Sequence, residues 1–177
     1  MNNSYLFDVR SPDKVKKDFE EGKKREEKYF DRVVSFTRQY PDVVGFMIVD
    51  YDNLGTNEFF YEDGQGRPYK PDYRVTMRTG EGALREYVVE VKTSARSIPP
   101  PSRDTVFCKK SQVDKLYRMD EKHSGLFFID PDKFAFIRCE KLMVMVDMSM
   151  VSVKAEPTYG WKESYLIPKR MLNWIYF

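Results

Sequence analysis

Runs of apolar residues, interrupted by polar and turn-forming positions, divide this chain into helix-length and strand-length segments. Ser11 to about Tyr40 reads as helical. Ser11-Pro12-Asp13 is a start signal, a capping residue followed by proline in the first turn. Gly22 weakens the middle and leaves open whether the stretch is one helix or two. Beyond it, Glu26, Tyr29, Phe30, Val33, Val34 and Phe36 gather on one wide face. Tyr40-Pro41-Asp42 ends the helix. The apolar run from Val43 to Val49 fits a buried strand. Asp50 to Pro71 is irregular, with Phe59-Phe60-Tyr61 as a short strand inside it.

The next segments alternate more clearly. Tyr73 to Met77 and Arg85 to Lys92 read as two strands joined by Thr79-Gly80-Glu81-Gly82, a hairpin. Three prolines in Ser97-Ile98-Pro99-Pro100-Pro101-Ser102 enforce a stiff extended loop. A helix then starts with Ser111 as its cap, and Val113, Leu116 and Tyr117 form its apolar stripe. Gly125 closes that segment. Leu126 to Ile129 and Phe134 to Ile137 flank Asp130-Pro131-Asp132-Lys133 and read as a second hairpin. Leu142 to Val146 fits a strand or a buried helical turn. The aromatic tail, Trp161 to Phe177, is expected to dock on the core or on a partner.

A length of 177 residues is that of a single domain with a real core. The net charge of +2 does not by itself indicate nucleic acid. Lys14-Val15-Lys16-Lys17, Lys23-Lys24-Arg25 and Lys109-Lys110 are local basic clusters that read singly as solvated helix faces. Two cysteines, Cys108 and Cys139, are too few for a cysteine-rich zinc site or a four-cysteine iron–sulfur cluster, and both read as buried thiols in a reducing compartment. The single His123 argues against histidine metal sites and a Ser-His-Asp triad. No signal peptide and no apolar stretch of membrane-spanning length is visible, so the expectation is a soluble intracellular protein with no membrane partner.

Candidate chemistry lies at the open end of the first hairpin. Pro71-Asp72 enters it and Glu90-Val91-Lys92-Thr93 leaves it. Side chains alternate along a strand, so Glu90 and Lys92 share a face while Val91 points the other way. Neighbouring strands lie about 4.8 Å apart, which lets Asp72 and Glu90 face each other. Two carboxylates and an ammonium gathered in this way suit a hard divalent cation that bridges to a phosphate. Pro-Asp occurs four times, at residues 12, 41, 71 and 131, and only the third precedes a hairpin that ends in acid-X-Lys.

This Pro-Asp, strand-turn-strand, Glu-X-Lys order resembles the PD-(D/E)XK nuclease superfamily. Two more positions match the family's habits. Glu26 follows Gly22 on the early helix, with Glu27 as its rival, and Gln112 follows Ser111 at the start of the later helix. The fold that the resemblance implies is α/β, a restriction-endonuclease-like core over about residues 22–139. Its mixed central β-sheet is flanked by helices, and a C-terminal extension covers about residues 140–177.

The activity implied is phosphodiester hydrolysis dependent on Mg²⁺ or Mn²⁺, leaving 5′-phosphate ends. Asp72, Glu90, the Val91 carbonyl and Glu26 would hold the metal, Lys92 would act on the attacking water and the transition state, and Gln112 would place the water or a phosphate. Thr93, Ser94, Lys109 and Lys110 are the expected contacts to nucleic acid. The leading expectation is a DNA endonuclease, structure-selective or restriction-like, with a homodimer open. The alternatives are a catalytically silent binding module on the same fold and an RNA-cutting enzyme of the cap-snatching kind. Cap-snatching members often carry a histidine on the early helix, and no histidine precedes His123 here.

Overall fold

The computed structural model describes residues 11–55, 70–94, 104–156 and 162–177. The expected strand at Phe59-Phe60-Tyr61, the proline loop and Trp161 lie outside the described residues. Among those described, no helix is long and apolar enough to cross a membrane.

Helix α1 runs unbroken from Pro12 to Gln39, straight through Gly22. The Ser11 side chain caps it by accepting the Lys14 N–H. Its apolar stripe buries Phe30, Val33 and Val34. Residues 43 and 44, expected in a strand, belong instead to a four-residue helix, α2 (Pro41–Val44). Pro41 starts that turn, and Gly45 ends it with φ of +83°, a conformation that favours glycine. Strand β1 therefore begins three residues later than expected and covers Phe46–Asn53.

The hairpin stands where the alternation puts it, as β2 (Tyr73–Thr79) and β3 (Leu84–Thr93), paired antiparallel with Tyr73 opposite Val89. Strand β4 (Thr105–Lys109) leads directly into α3 (Lys110–Met119). The cap of α3 is Lys109 rather than Ser111, because the strand runs into the helix with no intervening turn. Strand β5 is Ser124–Ile129 and β6 is Lys133–Arg138. Gly125 does not close the preceding segment; it is part of β5. Residues 142–146 resolve as helix, within α4 (Cys139–Asp147). Strands β7 (Ser152–Glu156), β8 (Lys162–Pro168) and β9 (Ile175–Tyr176) complete the chain.

The fold is mixed α/β. The main sheet has the order β1-β2-β3-β5-β6-β9, antiparallel except where β3 runs parallel to β5. A smaller antiparallel sheet has the order β4-β8-β7. Alternation along the strands builds two cores. Tyr73, Val75, Val89, Val91, Phe127 and Ile129 face α1 on one side. Leu126, Phe128, Ala135 and Ile137 face α3, α4 and the smaller sheet on the other. Helix α1 is fixed by an aromatic stack in which Phe30 lies 4.2 Å from Tyr73, ring centre to ring centre. The tail docks on the core: β9 pairs with β6, and Phe177 packs edge-on against Phe36. The C-terminal segment is thus built into both sheets.

Candidate active site

Strand β2 ends at Tyr73 while β3 continues to Thr93, so among the described residues the β2–β3 ladder stops at the Tyr73–Val89 pair, short of the end of β3. Asp72 fills this gap. Its own N–H donates to the Val89 carbonyl at 3.1 Å, and its carboxylate Oδ2 accepts the Val91 N–H at 2.9 Å. The side chain thereby extends the ladder one rung. A strand residue's N–H and C=O leave the backbone on the same side, so the Val91 carbonyl also faces the Asp72 edge. The Asp72 carbonyl in turn accepts from the Leu54 and Gly55 N–H groups, which ties the end of β1 to the same point.

The other Asp72 oxygen, Oδ1, accepts from the Lys23 ammonium at 2.9 Å. The same Nζ donates to Glu26 Oε1 at 3.0 Å. Lys23, Glu26 and Phe30 are spaced by three and four residues, so one stripe of α1 carries an ammonium and a carboxylate at its end and apolar groups beyond. Glu26 and not Glu27 meets Asp72. Glu27 accepts from the Asn53 amide at 3.2 Å.

A second pair stands alongside. Glu90 is 2% exposed, and its Oε2 accepts from the Lys92 ammonium at 2.8 Å. Lys92 Nζ also donates to Gln112 Oε1 at 3.2 Å, which links β3 to the first turn of α3. The five expected catalytic side chains therefore fall into two linked groups. Asp72 and Glu26 share Lys23, while Glu90 and Gln112 share Lys92.

The electrostatics follow from this geometry. Burial works to raise the Asp72 pKa, but the Lys92 and Lys23 ammoniums and the hydrogen bonds from Lys23 and Val91 outweigh it and hold the carboxyl below its ordinary value. Glu26 goes the other way. Burial, and then the Asp72 charge, push it up to about 7 against the opposing pull of Lys23 and Lys92. Burial also works to lower Lys23, and Asp72 and Glu26 overcome it to raise the ammonium's pKa. The two carboxyls that share Lys23 are thus shifted in opposite directions, Asp72 down and Glu26 up.

The remaining expected residues lie around this cluster. Thr93 and Ser94 are half-buried at the end of β3, where the Ser94 N–H donates to the Ile129 carbonyl at 3.3 Å. Lys109 caps α3 and pairs with Ser164 in the smaller sheet. The Lys110 ammonium is engaged by Asp114 within α3, and Asp114 also accepts from the Tyr165 hydroxyl at 2.6 Å. Lys23 was not among the expected site residues. Its signal was helical phase, since it lies three residues before Glu26 on the stripe of Phe30 and Val33. Burial pushes the Cys108 thiol up to about 12 and Cys139 up to about 11, so neither is a thiolate at neutral pH.

Among the described residues, no three His, Cys, Asp or Glu side chains stand together as a group placed to hold a metal ion. Two carboxylate oxygens do converge on one cation, the Lys23 ammonium. Their chemistry, hard oxygen donors with a backbone carbonyl beside them, fits Mg²⁺ or Mn²⁺. The Tyr73 hydroxyl adds a buried polar atom that no described residue bonds, on a ring that feels the charges of Glu26, Glu27 and Asp72.

Comparison of the chain with protein-family models, with curated proteins and with solved structures finds no match.

Proposed function

We propose that this chain is a divalent-metal-dependent nuclease of the PD-(D/E)XK kind, hydrolysing phosphodiester bonds in DNA. The observation that carries the reading is the meeting of Asp72 Oδ1 and Glu26 Oε1 at one cation, with Lys92, the Glu90 partner on β3, near enough for its charge to act on both carboxyls. The order of elements supports it. A helix, three antiparallel strands, a second helix and a strand parallel to the third are the core arrangement that the motif implies.

Asp72, Glu26, Glu90 and the Val91 carbonyl are the groups that would hold Mg²⁺ or Mn²⁺. The bound ion would supply a water of lowered pKa and positive charge beside the phosphate. Val91 fixes the Asp72 carboxylate through its N–H, so Oδ1 is aimed before any ligand arrives. Lys92 Nζ is held between Glu90 and Gln112, and its positive charge would offset the charge that grows on the attacked phosphate. Gln112 keeps that ammonium in place. Thr93, Ser94, Lys109 and Lys110 are the residues that would contact the nucleic-acid backbone. The products carry 5′-phosphate and 3′-hydroxyl ends.

The test is a substrate panel with Mn²⁺, with and without EDTA, on wild type and Asp72→Ala. Single strands, duplex, flaps, four-way junctions and RNA are compared. Cleavage of DNA that EDTA and Asp72→Ala both abolish supports the reading; full activity in Asp72→Ala ends it.

A second reading, a binding module on the same fold that no longer cuts, draws on the Lys23 ammonium already seated between Asp72 and Glu26. Gel shifts at low salt without cleavage in any arm of the panel would favour it.

A further inference from the structure

We infer that Lys23 is a tethered counter-cation that must leave before a divalent ion can enter, so that metal loading and opening of the site are one event. The inference rests on the metal-centre reading above.

The geometry forces the competition. One oxygen of Asp72 is fixed by the Val91 N–H at 2.9 Å, so the carboxylate cannot turn to offer a metal a different oxygen without breaking the rung. The oxygen that remains, Oδ1, is the one that binds Lys23. Glu26 Oε1 accepts from the same ammonium at 3.0 Å. A dication bridging Asp72 Oδ1 and Glu26 Oε1 would therefore stand against the Nζ charge that already bridges them, and like-charge repulsion sets the two cations in competition.

Lys23 has a way out. Its side chain is 27% exposed, against 13% for Asp72 and 14% for Glu26, so of the three it is the one that reaches water most. A four-carbon stem lets the charge swing into water without moving α1. Gly55 lies beside that charge. A Cβ added there would come 3.5 Å from Nζ and 3.1 Å from Asn53 Oδ1.

Charge balance points the same way. With all three carboxylates ionised, Asp72, Glu26 and Glu90 outnumber the Lys23 and Lys92 ammoniums by one. A dication in place of Lys23 brings this cluster to neutrality. The ammonium thus keeps two close carboxylates compatible with folding, and it is a weaker partner for them than a dication.

The test is calorimetric titration of Mn²⁺ into the full chain as wild type, Lys23→Gln and Lys23→Arg. Lys23→Gln should bind several-fold tighter, because the pairs to Asp72 and Glu26 no longer have to be displaced, and Lys23→Arg should stay near wild type. If wild type binds Mn²⁺ and Lys23→Gln binds it no tighter, the displacement is wrong and the metal centre stands. If neither binds at millimolar Mn²⁺, the metal centre itself is wrong, and this inference falls with it.

Acetylation footprinting of wild type covers the case in which Lys23→Gln fails to fold. Modification of Lys23 should rise several-fold when Mg²⁺ is added. Modification unchanged at a Mg²⁺ concentration that calorimetry shows to be saturating overturns the proposal.

Discussion

Asp72 Oδ2 accepts the Val91 backbone N–H at 2.9 Å, so a side chain takes the place of a missing strand residue at the end of the β2–β3 ladder. The consequence is a division of labour within one carboxylate. One oxygen is structural, and the other is left for a cation. Asp72→Asn keeps an oxygen for the Val91 N–H, whereas Asp72→Ala strands that donor beside a residue only 2% exposed. Thermal or urea denaturation should therefore find Asp72→Ala less stable than Asp72→Asn by about 1–3 kcal/mol. If the chain is the nuclease proposed above, both should lose that activity by more than the roughly 10–100-fold that follows loss of groups behind a metal ligand. Equal stability of the two variants would remove the structural role.

Glu90 is buried, and its carboxylate accepts from the Lys92 ammonium. Lys92→Met takes that charge away from a carboxylate shielded from water. Urea denaturation should show a loss on the order of 3 kcal/mol. Glu90→Gln added to Lys92→Met should recover part of it, because the uncompensated charge is gone. A double variant less stable than Lys92→Met alone would contradict the pairing.

Glu26 gives the stability curve of the protein, without added metal, a definite slope. Its folded-state pKa is raised from 4.5 to about 7 by burial and by the Asp72 charge. Between these values the folded chain keeps a proton that the unfolded chain has lost, so stability falls as pH rises through the window. Asp72 acts in the opposite sense and in a different range. Its contribution is present above its ordinary value of 3.8 and is lost as pH falls through its lower folded value. Glu26→Gln should gain on wild type progressively from pH 5 to pH 8 in denaturant titrations. Parallel curves would rule out the raised pKa.

Gly125 sits in β5 where the Phe136 ring crosses the backbone. A Cβ built there would lie 2.7 Å from Phe136 Cζ and 2.9 Å from the Ile137 carbonyl oxygen. Side chain and strand would both have to shift. Gly125→Ala should cost about 1–3 kcal/mol in unfolding experiments, with Asp72 chemistry unaffected in any protein that remains folded. A neutral effect on melting would contradict the close packing of β5 on β6.

The site was legible in the sequence wherever local pattern decides position. Period-two alternation and the glycine turn located β2 and β3, and acid-X-Lys on one strand put Glu90 and Lys92 on one face. Helical phase put Glu26 beside Phe30. Lys23 obeys the same phase, but three consecutive basic residues read as a solvated surface, and only the tertiary approach of Asp72 distinguishes it from Lys24 and Arg25. The start of β1 was misplaced because residues 43 and 44 are as apolar as a strand; the backbone at Pro41 and Gly45 decided for a helical turn. The smaller sheet was not legible at all. Thr105–Lys109 pairs with Lys162–Pro168 more than fifty residues later, and nothing in either segment names its partner.

The most direct test is the anomalous map of a crystal grown with millimolar Mn²⁺. If Asp72 and Glu26 form the metal centre, a strong peak lies within coordination distance of Asp72 Oδ1 and Glu26 Oε1, about 2.0–2.2 Å as for Mg²⁺-sized ions, with the Lys23 ammonium moved away. A map with no peak there and Lys23 still bridging the two carboxylates would contradict the account.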